Sequence, residues 1–469
     1  MGAILSLNSS RTSCESFKGS QFSKRQRIMS SYQEQKRLIP YLPDEISLQI
    51  LARVPRVHYW ELKLVSLRWK EAITSPELYD WRSELGTTEE WLFVLSRVEE
   101  RLLWHALDPV SQKWQKMPLM PSDSIDDGSQ KGLFILRMCN MLGSRLKIIN
   151  VLRGWLRKGN AVDTMPFCGC SIGAVDGCLY VMGGLSRASA LRCVWRYDPI
   201  RNSWSEVCPM STGRAYSKCG VVNNKLYVVG GVNKGQGGLT PLQSAEVFDP
   251  QTGLWSEVPS MPFSKIQVLP NAFLADLLKP IATGLTTYRG KLYVPQSLYC
   301  WPFFVDAGGE IYDPETNSWF EMPNGMGEGW PAKQAGTKVS AVVNDELYAL
   351  DPSSSMDSAK LRVYDHQDDL WKVVPGEVPI HDHADAESPY LLSGFRGKLH
   401  VITKDANHDI AVLQAVTRNH FSPSPSNSLS SVTSKQSVAL GDSGSDIWRV
   451  IATRRAGSAE LVSCQILDI

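Results

Sequence analysis

The segment YDPETNSW, residues Tyr312–Trp319, recurs along the chain in copies that keep the same internal spacing between Asp and Trp. Close copies are YDPIRNSW at Tyr197–Trp204 and FDPQTGLW at Phe248–Trp255, and weaker copies are LDPVSQKW at Leu107–Trp114 and YDHQDDLW at Tyr364–Trp371. Because Asp and Pro favour a tight turn, each copy predicts two strands joined by that turn, the second beginning at Trp. Five copies indicate a repeated structural unit.

Each copy lies inside a longer unit that predicts four short strands. The second strand of each unit has a sequence similar to LYV, and a two-residue turn precedes it. These turns are Asp176-Gly177, Asn223-Asn224, Arg289-Gly290, Asn344-Asp345 and Arg396-Gly397. Several of these residues tolerate positive φ, as a tight hairpin requires. The fourth strands begin at Trp114, Trp204, Trp255, Trp319, Trp371 and Trp448.

A four-stranded sheet cannot bury both faces alone, but it can when several sheets pack radially around an axis. The units therefore predict a mainly β fold, a propeller with six blades, in which the tryptophans fill the space between blades. The first blade begins near Glu89 and lacks a first strand, whereas Ala459–Leu467 is a lone apolar strand at the other end. Pairing that strand into the first blade would close the ring.

These units resemble the kelch repeat over residues 89–469. The matching residues are the glycine pairs Gly183-Gly184 and Gly230-Gly231, the aromatic residue before each Asp, and the six tryptophans. Two units match closely, and the other four lack the glycine pair. The resemblance implies a six-bladed kelch-type β-propeller.

Residues 38–86 predict a separate, small all-α region. Apolar residues follow a helical period, Pro55 breaks the first helix, and Ser75-Pro76-Glu77 has the pattern of a helix start with Ser75 as N-cap. Since so few helices cannot bury all their apolar surface, the region predicts a partner.

This region resembles an F-box, an arrangement that plant proteins commonly combine with a kelch propeller. The resemblance rests on LPDE at Leu42–Glu45, on Ile50-Leu51 and on the run from Leu62 to Lys70. It implies docking on an Skp-type adaptor, and through it on cullin and RING subunits. The implied adaptor contacts are Leu42, Pro43, Ile46, Ile50, Leu51, Leu62, Val65 and Trp69. The alternative is a helical cap that packs on the propeller.

The amino-acid composition argues against several classes of function. Lys and Arg total 49 and Asp and Glu 48, so no basic excess predicts a nucleic-acid partner. Ten scattered cysteines and no secretory segment predict a cytoplasmic and/or nuclear protein with reduced thiols. Cys168-Gly169-Cys170 lacks a second cysteine pair, and His381-Asp382-His383 needs further ligands, so we predict no metal, cofactor or catalytic residue.

The leading hypothesis is therefore a non-catalytic substrate-recognition subunit of an SCF-type E3 ubiquitin ligase. The F-box would dock on the adaptor, and the propeller would capture the target protein. A propeller scaffold without a ligase role and a propeller enzyme are the alternatives.

The target is expected on one rim of the propeller. In an up-and-down blade the strand 1–2 and 3–4 turns share one rim, here called the turn rim, and the 2–3 and 4–1 connections share the loop rim. The 2–3 connections are long and dissimilar, which is typical of binding loops on a rigid scaffold. Candidate target contacts are Arg187, Arg192, Lys234, Gln236, Tyr299, Trp301 and Phe303.

Three further segments differ from the rest of the chain in amino-acid composition. Residues 1–37 predict a flexible, basic, Ser-rich tail, and residues 421–446 a disordered loop. Residues 131–159 predict a basic amphipathic helix that packs on the propeller or contacts the target or a membrane. The opening MGAILS fits N-myristoylation at Gly2, which with the basic tail predicts peripheral membrane association.

Overall fold

A computed structural model of the chain describes residues 37–98, 101–121, 169–186, 189–235, 238–262, 280–300, 303–332, 337–352, 358–380, 388–416 and 447–469. The predicted tail, the insertion at 131–159 and the loop at 421–446 lie outside these residues. The chain divides into two compact units, Met1–Thr88 and Glu89–Ile469. Within the described residues, no helix has the length and apolar character that crossing a bilayer requires.

The first unit is helical. It contains α1 (Asp44–Ala52), a 3-10 turn (Arg56–His58), α2 (Tyr59–Leu62), α3 (Leu67–Ile73) and α4 (Pro76–Glu84). Pro55 separates α1 from the 3-10 turn, as expected of a residue without a backbone N–H. Helix α4 begins where the sequence predicts, but Ser75 does not cap it: the Ser75 hydroxyl donates to the Ala72 carbonyl at 2.9 Å.

The second unit consists of short antiparallel strands. They are β1 (Glu90–Val98), β2 (Arg101–Leu107), β3 (Trp114–Lys116), β4 (Ser171–Val175), β5 (Cys178–Met182), β6 (Val194–Asp198), β7 (Ser203–Val207), β8 (Lys218–Val222), β9 (Lys225–Val229), β10 (Val232–Gly235), β11 (Gly238–Pro241), β12 (Ala245–Asp249), β13 (Leu254–Val258), β14 (Ile281–Ala282), β15 (Thr286–Tyr288), β16 (Lys291–Cys300), β17 (Phe303–Asp313), β18 (Ser318–Glu321), β19 (Ser340–Val343), β20 (Glu346–Asp351), β21 (Ser358–Asp365), β22 (Leu370–Pro379), β23 (Tyr390–Phe395), β24 (Lys398–Lys404), β25 (Ile410–Ala415), β26 (Trp448–Arg454) and β27 (Glu460–Asp468). A short helix, α5 (Asn324–Gly329), follows β18.

In the described part of the chain these strands form six blades, as predicted. Blade 1 has the order β27-β1-β2-β3, blade 2 β4-β5-β6-β7 and blade 3 β8-β9-β12-β13. Blade 4 pairs β14 and β15 with β16, followed by β17 and β18; blade 5 is β19-β20-β21-β22 and blade 6 is β23-β24-β25-β26. The six predicted tryptophans all lie in fourth strands.

The C-terminal strand closes the ring, which confirms the prediction from strand order. Strand β27 pairs with β1 from Asp468 opposite Glu90 to Glu460 opposite Arg97. Ile469 and Glu89 then exchange two backbone hydrogen bonds of 2.9 and 3.0 Å. The pairing supplies the missing first strand and removes two open sheet edges.

The turn rim is built from two repeated turns. All ten central residues of the predicted strand 1–2 hairpins have φ between 49° and 72°, the conformation of type I′ turns. In the Asp-Pro turn of blade 4, Asp313 accepts from the Glu315 N–H at 3.0 Å, and the Tyr312 hydroxyl donates to Asn317 Oδ1 at 2.6 Å. Equivalent carboxylate-to-backbone bonds occur at Asp108, Asp198, Asp249 and Asp365.

The core is divided among the gaps between neighbouring blades. Each gap holds one cluster of buried apolar side chains, as between blades 3 and 4, where Val229, Leu292 and Tyr312 meet. Fourth-strand tryptophans also join neighbouring blades by hydrogen bonds. The indole Nε1 donates to the carbonyl just after the previous fourth strand, from Trp204 to Pro118, Trp255 to Cys208 and Trp319 to Pro259, and Trp371 reaches Met326 in α5.

Candidate functional site

The first unit exposes an apolar set that its own core does not bury. The exposed large apolar side chains are Tyr41, Ile46, Ile50, Trp60, Leu64, Val65 and Leu67. Leu67, at the start of α3, is 78% exposed. A fold of this size leaves such side chains in water only at an energetic cost, so the set is typical of a binding surface.

The structure places the eight predicted adaptor contacts in two environments. Ile46, Ile50 and Val65 are exposed, Pro43 is exposed at the start of α1, and Leu42 is half-buried. The remaining contacts lie in or against the core of the unit; Leu51 is 1% exposed, and Leu62 and Trp69 pack against the buried cluster. Leu51 therefore holds α1 in place and is not part of the exposed set.

Sequence reasoning missed part of the exposed set. Trp60 and Leu67 are exposed residues of α2 and α3, and Tyr41 and Leu64 are exposed residues of the turns before α1 and α3. The sequence contained a sign that some of these residues are exposed. Leu64, Val65, Leu67 and Trp69 are all apolar, but at this spacing they cannot all lie on one face of a helix. The exposed set is therefore larger than the F-box resemblance predicts.

Hydrogen bonds hold the exposed segments in place. Asp44 accepts from the Leu38 N–H at 2.7 Å and pairs with Arg68 at 3.3 Å, and the Trp69 indole donates to the Leu38 carbonyl at 2.8 Å. Ser66 caps α3 by accepting from the Trp69 N–H at 3.1 Å. These contacts tie the chain before α1 to α3.

Arg82 connects the remaining helices of the unit. It is 1% exposed, and Nη1 donates to the carbonyls of Ala52 and Val54 and to the Tyr59 hydroxyl at 2.9–3.1 Å. The orphan carbonyls at the end of α1 are thus satisfied by a cation, which also suits the helix dipole.

The exposed apolar set borders basic side chains. Burial lowers the pKa of Lys63, and the nearby Arg56 and Lys70 lower it further.

The loop rim carries β-structure where sequence analysis predicted loops. In blade 3 the 2–3 connection forms the hairpin β10–β11, with Lys234 opposite Leu239. In blade 4, β16 and β17 continue as a hairpin to Cys300 opposite Phe303. The sequence predicted long and dissimilar connections but not this pairing, which continues beyond the blade.

The predicted target contacts are placed unevenly by the structure. The strands of these two hairpins contain Lys234, Tyr299 and Phe303. Arg187, Gln236 and Trp301 fall outside the described residues. The Arg192 side chain is exposed, and its Nε donates to the Met210 carbonyl at 2.6 Å. Arg192 therefore also anchors the linker between blades 2 and 3.

A buried ion pair fixes that same linker. Arg214 is fully buried, and its guanidinium pairs with Glu246 on β12 at 2.9 Å and donates to the carbonyls of Gly230 and Ser244. The Glu246 carboxylate also accepts from the backbone N–H of Ser211 at 2.6 Å. Burial lowers the pKa of Arg214, and Glu246 opposes that shift. No local sequence pattern predicts this pair, because its two residues lie 32 positions apart.

The glycine pairs allow the linker to approach the blade. At Gly183, with φ of 63°, a Cβ atom would lie 2.2 Å from the Arg214 carbonyl oxygen. The Gly184 N–H donates to that same carbonyl at 2.8 Å. A side chain at Gly183 would thus displace the backbone that carries Arg214.

The turn rim holds a cleft of about 360 Å³ between blades 4 and 5. Tyr288 and Tyr364 line it together with charged residues of both signs, among them Arg289 and Glu346. None of the predicted target contacts lines this cleft. Within the described ranges, no group of three or more His, Cys, Asp or Glu side chains is arranged to hold a metal ion. The cluster His381-Asp382-His383 lies outside them.

Comparison with known proteins identifies both units. The F-box domain model matches residues 39–81, and the Kelch motif model matches residues 166–211 and 213–262. The F-box/kelch-repeat protein At1g22040 of Arabidopsis thaliana is 58% identical over the full length of both chains. The chain belongs to the F-box/kelch-repeat family. The kelch matches coincide with blades 2 and 3, the two units that carry glycine pairs.

More distant relatives cover less of this F-box/kelch-repeat chain. The F-box/kelch-repeat protein At1g30090 of Arabidopsis thaliana is 29% identical over 66% of this chain and 64% of its own. The F-box protein AFR of the same plant is 26% identical over 67% and 68%. A solved structure described as "Structure of YjhT" shares 15% identity, with a TM-score of 0.35 over 54% of this chain and 96% of that one.

Proposed function

We propose that this F-box adaptor protein is the substrate-recognition subunit of an SCF-type E3 ubiquitin ligase. The observation that carries the proposal is the apolar set left exposed on the F-box unit. An Skp-type adaptor would bury that set, and the adaptor would connect the chain to cullin and RING subunits.

The target protein is proposed to bind the loop rim. Hairpins β10–β11 and β16–β17 extend there from a closed ring, and the linker held by Arg214 and Glu246 pairs with the start of β10 through Ala215 and Val232. Preorganised hairpins lose little conformational freedom on binding, which favours affinity. The seven candidate target contacts named from the sequence stay predictions for this rim. A contribution of residues 131–159 to target binding also stays a prediction.

In this role the chain performs no bond chemistry. It raises the effective concentration of a target lysine near the charged ubiquitin-conjugating enzyme. A propeller scaffold without a ligase role would bind the target but no adaptor, and a propeller enzyme would turn over a substrate.

A co-purification experiment separates these functions. Tagged full-length protein is isolated from plant cells and probed for an Skp-type adaptor and a cullin. We expect both with the wild-type chain and neither with the double variant Leu42→Ala, Pro43→Ala, while target proteins stay bound. Targets without adaptor in the wild-type sample would support the scaffold and contradict the ligase role.

We also propose peripheral membrane association through myristoylation of Gly2. A single acyl chain binds membranes only marginally, and the basic residues of the tail would supply the second attraction. Intact-mass analysis of protein from a eukaryotic host should show the added acyl mass and its loss in Gly2→Ala, which should also leave the membrane fraction. A free or acetylated N-terminus in the wild-type protein would contradict the proposal.

A further inference from the structure

The ring closes at a seam between blades 6 and 1 that gathers basic side chains. His105 pairs with Val94 on one side and Lys116 on the other, and Val94 belongs to the cluster that packs against blade 6. Cross-strand partners project from the same face of a sheet, so His105 and Lys116 face blade 6. Arg454 lies opposite Ile410 on β26–β25, and Ile410 belongs to the same cluster. Arg454 therefore faces blade 1.

Polar groups at this seam lack partners. His105 is 7% exposed, and its Nδ1 has no hydrogen-bond partner in the described part of the chain. Neither Arg454 nor Lys116 forms an ion pair with any described carboxylate. The Trp114 Nε1 is likewise unpartnered there, whereas Trp204, Trp255, Trp319 and Trp371 each donate across a gap.

Nearby acidic groups are engaged elsewhere. Glu460 pairs with Arg97, and Asp409 accepts from the Ala456 N–H at 3.2 Å. Burial, with smaller contributions from Arg454 and Lys116, lowers the pKa of His105 to about 4, and the Leu103 backbone opposes that shift; burial also lowers the pKa of Arg454. The seam thus holds two cations without an ion-paired carboxylate among the described residues, beside unsatisfied nitrogen atoms, and burying such nitrogen atoms is costly.

We propose that the seam between blades 6 and 1 binds a phosphate-type oxyanion. Arg454 and Lys116 would supply the charge, and the buried His105 would donate a ring N–H. Guanidinium and ammonium groups are the side chains that bind phosphate oxygens most strongly. The bound anion would remove the repulsion between the two cations and strengthen the closure of the ring. This site is independent of the proposed ligase role.

The phosphate group could come from free orthophosphate or from a phosphorylated serine of another chain. Both sources present the same oxyanion, so the experiment uses both. Full-length protein, purified without phosphate, is titrated by calorimetry with sodium phosphate, with O-phospho-L-serine and with a short phosphoserine peptide, at constant ionic strength. Tighter binding of the peptide would identify a protein-borne phosphate, and equal or weaker binding would identify the free ion.

The expected result is saturable binding of phosphate and a melting temperature that rises with phosphate concentration. Arg454→Gln and Lys116→Gln should each weaken binding about tenfold or more. Arg449→Gln, at the opposite end of β26, is the matched control and should bind normally. Lys116 is exposed, so its substitution leaves the fold intact. The absence of saturation, or binding unchanged in the Lys116 variant, would overturn the proposal.

Discussion

Asp369 occupies the position that Asn202 and Asn317 hold in two other copies of the turn, and its carboxylate has a second role. Like Asn317, it has φ near 50° and accepts the hydroxyl of the repeat tyrosine, here Tyr364, at 2.8 Å. The carboxylate also accepts from the backbone N–H groups of Gly325 and Met326, both at 2.9 Å. Those N–H groups open α5, so the weakest copy of the repeat departs from the pattern for a structural reason.

This reading predicts the effect of Asp369→Asn. The amide keeps one acceptor oxygen but loses the charge and the second acceptor, so the free energy of unfolding should fall by about 1–2 kcal/mol. Chemical denaturation of the propeller measures the change. Asp368→Asn, its exposed neighbour, is the matched control and should change stability by less than about 0.5 kcal/mol. Equal effects of the two variants would contradict the capping role of Asp369.

The lowered pKa of His105 predicts that the folded protein loses stability in mild acid. Its pKa in the folded chain is lowered to about 4 by burial, Arg454 and Lys116, whereas the unfolded chain has the ordinary value of 6.5. Below pH 6.5 the unfolded chain therefore binds a proton that the folded chain does not, so stability falls as the pH decreases towards 4. The contribution is about 2–3 kcal/mol.

The measurement compares the wild-type protein with His105→Gln. The difference in unfolding free energy between the two should be constant above pH 7 and should shift in favour of the variant between pH 6.5 and 4. Taking the difference cancels the contribution of the other titrating groups. A difference that does not change with pH would show that His105 is not held neutral.

At the scale of elements, the strand count was predictable from sequence because each strand carries its own local signal. Turns such as Asn223-Asn224 and the tryptophans that open fourth strands depend on neighbours only a few residues away. Hairpin β10–β11 was missed because its glycines read as a loop, and α5 because its capping carboxylate, Asp369, comes more than 40 residues later. The ion pair of Arg214 with Glu246 was missed for the same reason of distance.

Closure by β27 is the element-scale feature most open to test. Deleting residues 459–469 would leave β1 with an unpaired edge and would expose the apolar clusters on both sides of blade 1. We expect loss of the cooperative unfolding transition and rapid proteolysis, since the ring can no longer bury its first blade. Circular dichroism melts and limited proteolysis measure both effects.

The control for this truncation is an eleven-residue deletion within residues 421–446, a segment predicted from sequence to be disordered. That deletion should leave the melting transition in place. A β27 deletion that melts like the wild-type protein would contradict the pairing of β27 with β1.

For the whole molecule, two compact units with different surfaces support one function. The F-box unit exposes apolar side chains without a described partner, and the propeller presents rigid hairpins on one rim. Resemblance to the F-box identified this helical unit, but Leu51 and Trp69, which were predicted as adaptor contacts, pack in or against its core, as only the packed helices reveal.

The most direct test of the account is the binding of a purified Skp-type adaptor to the full-length chain, measured by calorimetry. The wild-type protein should bind one adaptor, and Val65→Ser with Leu67→Ser should weaken binding by about 30-fold or more, as for central interface side chains. Leu254→Ser, on an exposed position of the propeller, is the control and should bind as the wild-type chain does. Unaltered binding by the double variant, or no binding by the wild-type protein, would contradict adaptor docking through the exposed apolar set.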